Sequence, residues 1–200
     1  MRVIGATVMM GTLAKWREFV PHLREHVNGW IAWNPGVPEP MVRESKRLGA
    51  TILEDFRLFD ERPFSDEEGM IVHSLFTAAR EDLNADAVLM LYPTEEIIDA
   101  DLDLGDHDVI AARFWRRRGT ADGPRYEPEY TRKVLLVRAC PHFMWATMHG
   151  NFPFGATKIK YAGDVATDAY QAGKWGESVY GKELIDVPDF DKKGIPLWQK

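Results

Sequence analysis

Cysteine is all but missing from this 200-residue chain, and Cys140 stands alone. That excludes an intramolecular disulfide and a cysteine-held metal cluster, and makes a reducing cytoplasm the default compartment. Long hydrophobic runs are missing too. No apolar stretch approaches the roughly 18–20 residues needed to cross a bilayer, so no membrane partner is expected. The apolar stretch Val3–Gly11 leads straight into a helix-like segment without a small-residue cleavage site, so it reads as a buried strand rather than a signal peptide. There is no internal repeat and no low-complexity segment. Nor is there a phosphate-cradling glycine-rich loop of the P-loop or dinucleotide type, which tells against both of those chemistries.

What is present fits one globular domain: 45% hydrophobic and 28% charged residues, enough for a proper core. The net charge of −6 hides an asymmetry. Residues 1–112 carry 10 basic and 21 acidic side chains, whereas residues 113–160 carry 10 basic and 3 acidic ones. A positive middle in an acidic chain suits a local anion site, such as a diphosphate or a nucleic-acid backbone, or a solvated basic face.

The first hundred residues alternate between strand and helix. Arg2–Met10 is a near-continuous apolar run, as expected of a strand covered on both faces. Thr12 can cap a helix from Leu13 to Val20, and Pro21 can open a second short turn through Val27. Trp30–Trp33 is a second strand, stopped by Asn34-Pro35-Gly36. A helix from Pro40 to Leu48 ends before Gly49, and Ala50–Leu53 is a third strand. Ser65 and Glu68 form a capping box for a helix reaching Asn84, and Ala87–Leu91 is a fourth buried strand. This order predicts an α/β fold with a mostly parallel sheet flanked by helices.

The second half reads as a smaller mixed or antiparallel portion. Val109–Arg117 and Arg132–Arg138 are strand-like, separated by a Gly/Pro-containing loop over Arg118–Glu129. Trp145–His149 and Lys158–Tyr161 are shorter strand candidates. Asp164 or Thr167 can cap a helix to Gly173, and Ile185–Lys200 reads as an extended tail. The whole chain is thus expected to be one domain, with a ligand-binding half (1–100), a second half (101–165) and a C-terminal helix and tail (166–200).

In an open parallel sheet, ligands bind beyond the carboxyl ends of the strands. That selects the loops Met10-Gly11-Thr12, Asn34 to Pro40, and Tyr92 to Glu96. In this setting Tyr92 or Trp33 can stack on a ring. Glu95 and Glu96 can ligate a cation, act as an acid/base pair, or simply start a solvated helix. In Arg113-Phe114-Trp115-Arg116-Arg117-Arg118 the arginine forks suit phosphate oxygens and the aromatics suit bases or sugars, while a rim of paired arginines explains the run equally well.

The order of these segments resembles the inverting GT-A glycosyltransferases, which use nucleotide-sugar donors. In that family the second strand ends in a loop of the form Asp-Thr-Gly-Ser-Thr-Asp-Gly-Thr. Here Trp33-Asn34-Pro35-Gly36-Val37-Pro38-Glu39-Pro40 occupies that place, and Arg47-Leu48-Gly49-Ala50-Thr51-Ile52 is similar to the family's entry into its third strand. The family's Asp-x-Asp motif, often followed by Glu-Glu-Ile, corresponds to Tyr92-Pro93-Thr94 followed by Glu95-Glu96-Ile97. The flank is similar, but both aspartates are replaced. The basic strand Arg132–Arg138 and the segment Trp145–His149 resemble the family's acceptor-side pieces, with Gly150 where a glutamate commonly follows.

The resemblance implies a Rossmann-like GT-A fold and transfer of a sugar to an acceptor hydroxyl. It places the nucleotide sugar on Thr7, Asn34, Gly36, Glu39, Tyr92, Thr94, Arg116 and Arg118. Asp164 and His149 are then candidates for the general base. With the two aspartates gone, Mn²⁺ or Mg²⁺ would fall to Glu95, Glu96 and His149, or the reaction would be metal-independent, or the protein inactive. The basic stretch Arg113–Arg118 leaves an anionic acceptor open, nucleic acid included. The alternative is a pseudo-glycosyltransferase that binds a nucleotide, a glycan or a protein without chemistry.

Overall fold

Val3–Val8 forms β1, buried along its whole length. Thr12 then opens α1 (Leu13–Arg24), its Oγ1 accepting from Lys15 N at 3.3 Å. The computed structural model describes residues 1–56, 67–120, 123–143, 153 and 155–168. The break expected at Pro21 does not occur, and α1 runs through it as one helix. Proline in a helix interior removes a hydrogen bond and crowds the preceding turn. Packing overrides that cost here, because Trp16, Phe19, Val20 and Leu23 are buried on both sides of the proline. Leu23 lies so close over β1 that a Cβ on Gly5 would meet its Cδ1 at 3.0 Å.

The alternation continues with β2 (Gly29–Trp33), α2 (Glu39–Arg47), β3 (Ala50–Leu53), α3 (Glu67–Glu81) and β4 (Ala87–Met90). Gly49, expected just past the end of α2, has φ +89°, the left-handed conformation that stops a helix cheaply. Ser65 lies outside the described residues, as does the side chain of Glu68, so the capping box does too.

After β4 come β5 (Glu95–Asp99), β6 (Val109–Thr120), β7 (Gly123–Arg138) and β8 (Ile159–Asp168). Among the described residues all eight strands form one sheet in the order β3-β2-β1-β4-β7-β6-β8-β5. The expectation of a mostly parallel sheet is corrected: the sheet is mixed. Pairs β3–β2, β2–β1, β1–β4 and β6–β8 are parallel, while β4–β7, β7–β6 and β8–β5 are antiparallel. The cause is a long hairpin: β6 and β7 pair from Val109↔Val137 out to Thr120↔Gly123, and strands joined so directly must run antiparallel.

Three further expectations are overturned. The loop expected over Arg118–Glu129 is strand over Arg118–Thr120 and Gly123–Glu129, and Pro128 is tolerated opposite Trp115 beside a register shift. Asp164 and Thr167 do not cap a helix but lie within β8, where Val165 and Ala166 are buried between β6 and β5. Glu95 and Glu96 start no helix and open edge strand β5. The segments Trp145–His149, the helix to Gly173 and the tail lie outside the described residues.

The pleat divides the core. Ile4, Ala6 and Val8 face α3, through Ile71, Val72, Leu75 and Phe76. The opposite face carries Val3, Trp30 and Leu89 against Trp16, Phe19 and Leu23 of α1 and Met41 and Val42 of α2. Helices α1 and α2 therefore lie on one face and α3 on the other. The chain leaves β1 toward β2 on one side and later returns to β4 on the other, so the loops after β1 and β4 diverge. That is the topological switch point at which open α/β sheets hold ligands. No helix among the described residues is long and apolar enough to cross a membrane.

Candidate functional site

The turn after β4 is closed twice. Glu95 N donates to Tyr92 O at 2.8 Å, and Tyr92 N donates to Glu95 Oε2 at 2.9 Å. Pro93, second in this four-residue turn, has its φ preset for the position. The same Glu95 Oε2 receives Lys133 Nζ of β7 at 2.9 Å, and that ammonium stands 4.1 Å from the centre of the Tyr92 ring. The two charged side chains are 11% and 6% exposed, a nearly dry ion pair. Burial pushes the Lys133 pKa down, while the charge of Glu95 and its hydrogen bond pull it back up. Thr94 is also buried, its Oγ1 3.3 Å from Thr167 Oγ1 of β8.

Beside this turn, between α1 and β5, opens a cleft of about 240 Å³. Helix α1 lines it with Lys15, Glu18, Phe19 and His22; the turn and β5 supply Pro93, Thr94, Glu95 and Glu96; β6 adds Arg117. Every carboxylate in it has a cation: Glu18 has Lys15 at 3.6 Å, Glu95 has Lys133, and Glu96 forms an ion pair with Arg117. His22 Nε2 accepts from Ile97 N at 3.1 Å, fastening α1 to β5. The volume lies below the range of drug-sized ligands and suits a small polar molecule or one ring of a larger one.

Mn²⁺ and Mg²⁺ need free carboxylate oxygens. At the end of β4 the residues do not fit such an ion. Tyr92 and Thr94 offer no carboxylate, Glu95 is committed to Lys133 and to the Tyr92 amide, and Glu96 is committed to Arg117. A dication about 4 Å from the Lys133 ammonium would be repelled by about 8 kcal/mol at an effective dielectric of about 20.

Among the described residues, His22, Glu25 and His26 bring three ligand atoms within 4.8 Å of one another. The Ile97 amide, however, occupies the lone pair of His22 Nε2, so the neutral ring carries its proton on Nδ1, the nitrogen 3.9 Å from Glu25. His26 Nε2 is buried without a hydrogen-bond partner, and burial, with the neighbouring His22, lowers that ring's pKa.

The other sequence-derived residues lie apart from the cleft. Asn34 shapes its own loop: Oδ1 accepts from Gly36 N and Val37 N at 3.0 Å each, and Nδ2 donates to Glu54 at 2.9 Å. Gly36 sits at φ +96°. Glu39 is exposed, 3.9 Å from Arg43. Thr7 is fully buried within β1, its Oγ1 without a hydrogen-bond partner. Trp33 stacks on Phe56 with ring centres 4.8 Å apart.

Asp164 accepts from Arg113 Nε and Nη2 at 2.7 Å each and from Trp115 Nε1 at 2.6 Å. Two arginines of the basic run, Arg113 and Arg117, are therefore paired with carboxylates. Arg116 is half-buried in β6. The Arg118 side chain and His149 lie outside the described residues.

The cleft thus contains Thr94, Glu95 and Glu96 of the expected residues, with Tyr92 beneath Lys133. Lys133 was the partner missed. Its one sequence signal is its place, with Arg132, directly before the apolar run Val134–Val137. Lys15, Glu18 and His22 gave no signal, since polar residues on one helix face are ordinary. No protein-family model matches the chain, and no curated protein matches its sequence.

Proposed function

We propose that this chain is a glycosyltransferase of GT-A type that takes a nucleotide-sugar donor at the cleft beside the Tyr92–Glu95 turn. The observation carrying this reading is the position of that cleft, against the turn after β4 in the segment that resembles the family's donor motif. Its chemistry supports the same reading: paired carboxylates and cations around the flat faces of Phe19 and Pro93 suit sugar hydroxyls, which need donors and acceptors together. The nucleotide would extend toward the loop from Asn34 to Glu39. Arg117 and Lys15 would stabilise the charge developing on the leaving diphosphate.

An inverting transfer needs a base for the acceptor hydroxyl. Asp164 and His149 are its candidates, and the Asp164 carboxylate is held by the Arg113 fork and the Trp115 indole. The single cysteine suits a cytoplasmic enzyme. A second reading, binding without turnover, is favoured by one observation: no carboxylate in the cleft lacks a cation.

The experiment is release of nucleoside diphosphate from a panel of nucleotide sugars, with and without candidate acceptors. Release from one donor, lost on Arg117→Ala, supports transfer. No release from any donor by folded protein, beside clear nucleotide binding, moves the assignment to the binding module.

A further inference from the structure

We infer that the donor site works without a divalent cation, and that Lys133 is the residue that makes it so. The inference rests on the glycosyltransferase reading and deepens it. The turn after β4 and the start of β5 give the cleft two carboxylates: Glu96, which is paired with Arg117, and Glu95. Its Oε2 already accepts from Lys133 Nζ and from Tyr92 N, both at 2.9 Å. The ammonium is almost wholly buried and seated over the Tyr92 ring, so it cannot swing into solvent to make room.

Lys133 therefore does electrostatically what a bound cation would do: it cancels the carboxylate that would otherwise repel a diphosphate. The positive charge near the phosphate oxygens then comes from Arg117, which holds Glu96 in its ion pair, and from half-exposed Lys15. Lys133 is a positioning residue here, since it acts through Glu95.

The consequence is specific. Removing the ammonium leaves the Glu95 carboxylate in the wall of the cleft without its cation, and that carboxylate should recruit a metal when a diphosphate arrives. The test is equilibrium binding of UDP, GDP, CDP, ADP and dTDP by calorimetry, in excess EDTA and then in Mn²⁺. The wild type should bind one of them with the same affinity in both conditions. Lys133→Met should lose about tenfold in EDTA and recover most of it in Mn²⁺, a response that loss of packing alone would not produce. Where Lys133→Met fails to fold, Lys133→Gln serves, folding being checked by circular dichroism.

A wild type that binds only with Mn²⁺ overturns the inference and leaves the glycosyltransferase reading standing. A folded Lys133 variant that ignores Mn²⁺ overturns the role given to Lys133. Absence of binding to any of the five diphosphates, in either condition, overturns the glycosyltransferase reading and this inference with it.

Discussion

Lys133 Nζ of β7 lies 2.9 Å from Glu95 Oε2 at the start of β5, and the two strands are not neighbours in the sheet. The pair bridges β6 and β8 from the face that carries α1. Breaking a buried ion pair from one side leaves an uncompensated charge, at a cost of about 3–5 kcal/mol. Lys133→Met should destabilise by that amount in urea unfolding. Adding Glu95→Leu should restore most of the loss, because a packed apolar pair has no desolvation penalty.

The buried tie between α1 and α2 gives a second prediction. Trp16 Nε1 donates to Ser45 Oγ at 2.8 Å, and that hydroxyl donates to Met41 O at 2.8 Å. Ser45→Ala strands the indole N–H in a dry core and should cost about 1–3 kcal/mol. In a Trp16→Phe background the same substitution should cost clearly less, which a double-mutant cycle would read directly.

Gly163 sits at φ +85° in β8, and a Cβ there would lie 2.4 Å from Asp99 O and 2.8 Å from Ala100 Cα. Strain and overlap add, so Gly163→Ala should cost about 2–4 kcal/mol. Gly11, at φ +77° with open space around it, should cost only the backbone strain, about 1–2 kcal/mol, in the same denaturation assay.

Asp108 gives the pH dependence. The amides of Thr157 at 2.9 Å and Lys158 at 3.0 Å bond its Oδ2, and with the Thr157 hydroxyl and Arg138 they hold its pKa below the usual carboxylate value. A carboxylate with a depressed folded-state pKa contributes stability that is complete above its unfolded pKa and lost as pH falls through the folded one. Acid unfolding of Asp108→Asn should therefore be shallower than that of the wild type below about pH 4, and the two curves should converge at the acid end.

Much of the first half was legible because its signals are local. Burial on both faces shows as the apolar run Val3–Val8, Thr12 marks a helix start, and Gly49 marks a helix end. The continuity of α1 through Pro21 was not legible, since it depends on Leu23 packing over Gly5, a tertiary contact. The second half was harder for the same reason. Asp164 resembles a helix cap in isolation, and only its register beside Arg113 makes it a strand residue. The loop Tyr92 to Glu96 stands out in the sequence as a candidate ligand loop, but Lys133 does not, because nothing in a sequence announces which distant charge a buried glutamate will meet.

The most direct test of the proposed donor cleft is amide chemical-shift mapping on isotopically labelled protein titrated with the tightest-binding nucleoside diphosphate. The account predicts shifts gathered on Lys15, Thr94, Glu95, Glu96 and Arg117, with a fainter trail toward Asn34 and Gly36. Shifts gathered instead on the α3 face, or none at saturating nucleotide, would contradict it.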